Sequence, residues 1–216
     1  MNMEQARFNM IEQQIRTWEV LDPAVLDLLG RVPREDFVPA KYRNLAFADL
    51  NIPLGHEQVM MAPKVEGRLI QALGIKPNDT VLEVGTGSGY LTALLANLAK
   101  HVYSVDIFPE FKPQAQQKLA ALGLSNVTIE TGDAALGWER HGPYDVIVIT
   151  GSFPLYPEHY QRSLRVNGRM FVIAGRAPAM EALLVTRVGA DWMRESLFET
   201  DIPALINAPQ PQPFVF

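Results

Sequence analysis

The stretch from Thr80 to Leu95, TVLEVGTGSGYLTALL, constrains this chain more than any other, because a strand signal, a glycine turn and a helix signal follow one another without a gap. Val81, Leu82 and Val84 form a short β-branched and leucine-rich run suited to a strand buried on both faces. Gly85, Gly87 and Gly89 come next at alternate positions, and Leu91, Leu94, Leu95 and Leu98 then recur at helical spacing. The glycines thus lie between the carboxyl end of a strand and the amino end of a helix, where open α/β sheets bind ligands. Two readings stay open on these residues alone. One is a tight structural connection; the other is a cradle where missing side chains let a ligand approach and the helix start offers unpaired N–H groups. The spacing G-x-G-x-G is not the dinucleotide G-x-G-x-x-G, and Glu83, just before the turn, would repel a pyrophosphate but suit a cationic or amine-bearing ligand.

Asp106 ends the next apolar run, HVYSVD, about twenty residues beyond the glycines, the separation expected of a ribose-binding acid. Gly132-Asp133 follows a third strand, and together these features favour a nucleoside-bearing cofactor on a Rossmann-like fold. VLEVGTGSGY resembles the first motif of class I S-adenosylmethionine (SAM) dependent methyltransferases. That resemblance implies an α/β fold with a mostly parallel sheet of about seven strands flanked by helices. It also implies SAM as cofactor, with the glycine loop of Gly85, Thr86, Gly87 and Gly89 at its amino acid portion, Asp106 at the ribose, and Glu83 and Ile107 in the same binding set. Gly132, Asp133 and Ala134 fall on the adenine side, and Thr150 completes the implied binding set.

Before the glycine turn, Phe8, Ile11, Ile15 and Trp18 step by helical spacing, which predicts an amphipathic helix from Glu4 to Trp18. Asp22 and Pro23 read as an N-cap and first helical residue of a second helix through Leu29. Both helices read either as packing decoration or as a cover over a substrate cleft. From Val32 to His56 runs a long irregular connection rich in proline and aromatics, too apolar for disorder. RVPREDFVPAKYRNLAFADLNIPLGHEQ, preceded by MIEQQIR, resembles the N-terminal part of protein-L-isoaspartate O-methyltransferases, and the likeness extends from Met10 through at least Gly175. It implies a helical and acceptor-loop extension at residues 1–63 packed on a SAM-binding unit at 64–216. It also implies an isoaspartyl carboxylate of damaged protein or peptide as the methyl acceptor.

The acceptor motif departs from that family. Its G-Q-T-I-S-x-P signature, in which the serine hydroxyl contacts the acceptor carboxylate, reads Glu57-Gln58-Val59-Met60-Met61-Ala62-Pro63 here. Val59 replaces the threonine and Met61 the serine, and a thioether cannot donate a hydrogen bond. Met61, Val59 and His56 are therefore the candidate acceptor-side residues.

Pro63 opens a helix that ends near Gly74, with Val65, Leu69, Ile70 and Leu73 suited to the core. Further strands are expected at 126–130, 144–150 and 168–175, with an antiparallel pair at 183–188 and 192–200 around Gly189. Trp138 fits core packing better than a stacking platform. His56, His101, His141 and His159 lack metal-ligand spacing, so no metal is expected. The proline-rich end, Ala208 to Pro213, is either disordered or laid over the body. With 48% hydrophobic residues in 216, the chain can fill one sizeable core. A net charge of −5 provides no basic footprint for nucleic acid or an anionic membrane, and the oligomeric state is open. The absence of cysteine, of an apolar signal core and of a membrane-length run fits a cytoplasmic protein.

Methyl transfer from a sulfonium is an in-line displacement, so the protein mainly positions the acceptor and excludes water. A carboxylate is already ionised at neutral pH and needs no base, whereas a phenol or amine would call on His56 or Tyr42. Three functions compete: an isoaspartyl-type carboxyl methyltransferase, a methyltransferase of the same scaffold with a less polar protein, peptide or small-molecule acceptor, and a catalytically silent SAM-binding protein.

Overall fold

The computed structural model describes residues 2–211; the expected end of the proline-rich tail, Gln212 and Pro213, lies outside them. Helix α1 (Met3–Met10) is capped by the Asn2 side chain and continues through a π turn at Ile11–Ile15 and a 3₁₀ turn at Arg16–Trp18. The expected single stripe is corrected here: Phe8 is 58% exposed, while Met10 and Ile15 enter the core. Met10 and Ile15 are five residues apart, and the π turn brings such positions onto one face. Helix α2 (Pro23–Arg31) starts as expected, with Asp22 accepting a hydrogen bond from the Ala24 N–H.

The connection to residue 62 is more ordered than its sequence suggests. It holds a short helix α3 (Arg34–Phe37), a 3₁₀ turn (Ala40–Leu45) and a hairpin of β1 (Ile52–Gly55) and β2 (Gln58–Met60). Helix α4 (Pro63–Leu73) then ends on Gly74 in the left-handed conformation. The alternation that follows is β3 (Thr80–Val84), α5 (Tyr90–Leu98), β4 (His101–Asp106), α6 (Phe111–Ala121), β5 (Val127–Thr131) and β6 (Tyr144–Phe153). The chain closes with β7 (Leu164–Arg176), β8 (Ala179–Val188) and β9 (Asp191–Thr200).

Seven strands form one sheet in the order β5-β4-β3-β6-β7-β8-β9. β3 through β7 pair in parallel and β8 and β9 add antiparallel at one edge. The strand order reverses at β3, between β4 and β6, so the crevice at its carboxyl end is the topological switch point. On one face, Met10, Ile15, Val20, Leu28 and Leu29 share a single apolar core with Leu69 and Ile70 of α4 and Leu94 of α5. The N-terminal segment therefore builds the wall beside the switch point.

Candidate active site

A cleft, partly open to solvent, lies at the carboxyl ends of β3, β4 and β6, where open α/β sheets bind ligands. Gly85, Thr86, Gly87, Asp106, Ile107, Gly132, Asp133, Ala134 and Thr150 all line it, as do Val59 and Met61. Three candidates do not. Glu83 is fully buried behind the turn, where its Oε2 accepts hydrogen bonds from Thr92 and Ser104, both at 2.6 Å. Its Oε1 has no partner, and burial pushes the carboxyl up to about 8. Gly89 serves packing: a Cβ there would come within 2.9 Å of the Ala115 Cβ on α6. His56 sits behind two lining residues, its ring stacked on Phe108 at 4.1 Å between centroids and edge-on to Phe111, with its Nε2 bonded to Glu110. The histidine thus latches the hairpin tip to the loop after β4.

The glycine turn is built for close approach. At Gly85, with φ of 96°, a Cβ would lie 2.1 Å from the Thr150 Oγ1, which in turn donates to the Val84 and Gly85 carbonyls at 2.9 Å. Asp106 stands at the end of β4 with Oδ2 accepting from the Gly87 N–H at 2.8 Å and Oδ1 from the Phe108 N–H at 3.0 Å. Burial raises its carboxyl while those backbone amides oppose the rise. At the opposite end, Asp133 accepts from the Ala135 N–H at 2.9 Å and from the Asn207 side chain at 2.8 Å. Asn207 belongs to a C-terminal strap that runs along β6, where Leu205 N–H donates to Ser152 O at 2.9 Å and Leu205 lines the cleft. Trp138 packs in the core with its Nε1 on Glu130 at 2.8 Å and its ring against Gly132.

The opposite wall is the hairpin and the start of α4. Leu54, Val59, Met60 and Met61 present apolar surface, and the Leu54 Cδ1 lies 3.0 Å from where a Cβ on Gly87 would sit. Arg34, wholly buried, ties this wall together. Its Nε donates to the Ala46 carbonyl at 2.8 Å, its Nη2 to the Met61 carbonyl at 2.5 Å, and its Nη1 pairs with Glu66, while the guanidinium lies 4.8 Å over the Tyr90 ring. Glu66, Ser88, Phe108, Phe111, Leu205 and Ile206 line the cleft without being singled out in the sequence. The aromatic pair closely following Asp106 is a signal that could have been read; the Arg34–Glu66 pair spans 32 positions and leaves no local trace.

Three carboxyls, Glu66, Asp106 and Asp133, line the cleft with no Lys, Arg or His among the described lining residues. Such a lining suits a ligand bearing positive charge, as SAM does through its sulfonium and ammonium, and Gly85 and Gly87 bring backbone without side chains to the same cleft. The residues present therefore fit SAM. Among the described residues no group of three or more acidic or histidine side chains could hold a metal ion, and no helix is long and apolar enough to cross a membrane.

A family model described as protein-L-isoaspartate(D-aspartate) O-methyltransferase matches residues 5–191. A Rhodopseudomonas palustris protein-L-isoaspartate O-methyltransferase is 37% identical over 209 residues, 94% of this chain and 96% of that protein. One from a Synechococcus species is 35% identical over 207 residues, 93% and 85% of the two chains. Among solved structures, a Plasmodium falciparum protein described as a protein-L-isoaspartate O-methyltransferase, in complex with S-adenosyl-L-homocysteine, superposes with a TM-score of 0.77 at 18% identity. That alignment covers 95% of this chain and 99% of the other. A second protein-L-isoaspartate O-methyltransferase gives 0.75 at 23% identity, covering 92% of this chain and 65% of that one. At those identities the two structures speak for the fold. With the sequence relatives and the family model, they place the chain: it belongs to the protein-L-isoaspartate O-methyltransferase family of class I SAM-dependent methyltransferases.

Proposed function

We propose that the chain methylates an isoaspartyl-type carboxylate on a protein or peptide, with SAM bound between the glycine turn and the C-terminal strap. The observation that carries this reading is the contact of the hairpin with the glycine turn, Leu54 against Gly87, which supports an acceptor held beside the turn that would take SAM. SAM, when bound, supplies an electrophilic methyl group on a sulfonium. Gly85 and Gly87 would take its amino acid portion, Asp106 its ribose hydroxyls and Asp133 with Ala134 its base. A carboxylate with an ordinary value near 4 arrives ionised, so no proton has to be removed. The work left to the hairpin is to orient the acceptor and exclude water, with the Gln58 amide, the Ser88 hydroxyl and backbone N–H groups as donors in place of the absent hydroxyls.

A second reading, a less polar acceptor, is favoured by the apolar wall of Val59, Met60 and Met61. Methyl-labelled SAM offered with an isoaspartyl peptide tests both. Label in the peptide is expected, and the Val59→Thr, Met61→Ser double variant should raise its rate about ten- to a hundredfold, the worth of one regained hydrogen bond to a charged group. A folded, SAM-binding protein that leaves the peptide unlabelled in both forms removes the first reading.

A further inference from the structure

We propose that Glu66 is a proton acceptor for a second class of substrate, a phenolic hydroxyl carried on an apolar body, which this cleft methylates on oxygen. The inference rests on the cofactor assignment and on the less polar acceptor of the second reading. Of the three carboxyls that line the cleft, Asp106 and Asp133 have both oxygens engaged by backbone amides or by Asn207. Glu66 is different. It stands in the first turn of α4, 2% exposed, on the wall formed by Met60 and Met61. Arg34 holds its Oε2, and no hydrogen bond from the described residues reaches its Oε1. The same guanidinium holds the Met61 carbonyl, so one side chain ties the carboxyl to the acceptor wall.

The surroundings tune this group for proton removal. Burial pushes Glu66 up to about 7, while Arg34 pulls it down and keeps the ionised form within reach. The other titratable groups facing it are Glu83 from β3 and Tyr90 from α5. A carboxyl near 7 closes about half of the gap between an ordinary carboxyl near 4 and a phenol near 10, which is what a base for a phenol needs. Methionine thioethers beside it offer an adaptable, polarizable face to an aromatic ring. In the step, a lone pair of the phenolic oxygen forms the bond to the methyl carbon as the carbon–sulfur bond breaks and its electron pair stays on sulfur. The hydroxyl proton passes to Glu66 Oε1. An isoaspartyl carboxylate carries no such proton, so the two acceptor classes depend on Glu66 in different ways.

The test compares 4-methylphenol with an isoaspartyl peptide, using wild type, Glu66→Gln and Glu66→Asp. In wild type, kcat/KM for the phenol should rise with pH to a plateau above about 7. Glu66→Gln should lower it about a hundredfold or more and flatten the profile, the scale of general-base catalysis. Glu66→Asp should retain part of the rate and the pH dependence. Calorimetry with SAM verifies that each variant is folded and loads its cofactor. A readout independent of turnover is the visible absorbance of bound 4-nitrophenol, whose phenolate fraction should be lower on wild type than on Glu66→Gln because the anion meets the Glu66 carboxylate. Phenol methylation by wild type that is flat with pH, or retained in full by Glu66→Gln, overturns the proposal. Peptide labelled with phenol untouched overturns it while the isoaspartyl reading stands. Phenol labelled with peptide untouched does the reverse, and no label in either removes both.

Discussion

Glu57 occupies the hairpin tip with φ of 58°, beside His56 at 51°, a left-handed pair that suits glycine or asparagine better than glutamate. The family signature has glycine at position 57, so the substitution leaves local strain beside the acceptor wall. Replacing it, Glu57→Gly, should stabilise the protein by about 1 kcal/mol, read as a shift in the denaturant midpoint at unchanged slope. Glu83 is a residue-scale feature of another kind. Its carboxyl, ordinarily near 4.5, is held at about 8 by burial, so the folded protein keeps a proton that the unfolded chain releases across that window. Stability should therefore fall as pH rises from about 4.5 to about 8. Glu83→Gln should weaken that fall, as measured by urea midpoints at pH 5, 6.5 and 8. Part of what remains comes from Glu66 and Asp106, both raised in the same direction by burial.

At the scale of elements, the N-terminal helix reaches the core through few residues, Met10 and Ile15 across the π turn. Ile15 packs on α4 where Gly67 leaves room, its Cγ2 standing 3.2 Å from the place a Cβ would take. Truncation by Ile15→Ala should cost about 2–4 kcal/mol in unfolding free energy, the range for a large apolar side chain lost from a packed core. Phe8→Ala, on the solvent side, should cost less than about 0.5 kcal/mol. Helix α6 shows why some elements escape a reading by period. Only Phe111, Ala115 and Leu119 of its eleven residues are buried, which leaves a thin stripe. The β1–β2 hairpin escapes for a different reason, since its turn, Gly-His-Glu-Gln, carries no Asn-Gly or Asp-Gly signal.

Across the whole molecule, Arg34 joins four separate stretches: α3, the Ala46 carbonyl, the Met61 carbonyl and Glu66 on α4. Removing it as Arg34→Ala leaves Glu66 buried without its partner and should cost about 3–5 kcal/mol. Arg34→Met combined with Glu66→Leu removes both charges and should lose distinctly less, a coupling that a double-mutant cycle measured by chemical denaturation will show. The C-terminal strap makes a second long-range join, from Asn207 to Asp133 and from Leu205 to Ser152. The two joins hold the cleft from opposite ends.

The order of strand, glycine turn, helix and acid from Thr80 to Asp106 was legible residue by residue, because alternation and helical spacing are short-range patterns and close backbone approach requires glycine. Most of the parallel sheet followed from those patterns, with strand ends within a few residues of those observed. The sequence also showed that hydroxyls are absent at Val59 and Met61. Tertiary structure decided the rest. It stacked His56 on Phe108, outside the lining of the cleft, sealed Glu83 behind the turn, and brought Glu66 to the acceptor wall. For Glu66 and His56 the partners are 32 and 54 positions away, Arg34 and Glu110, and for Glu83 the more distant of its two is Ser104, 21 positions on. The direction of a polar side chain at such a place is set by which distant group can pay its desolvation cost, and no local period records that choice.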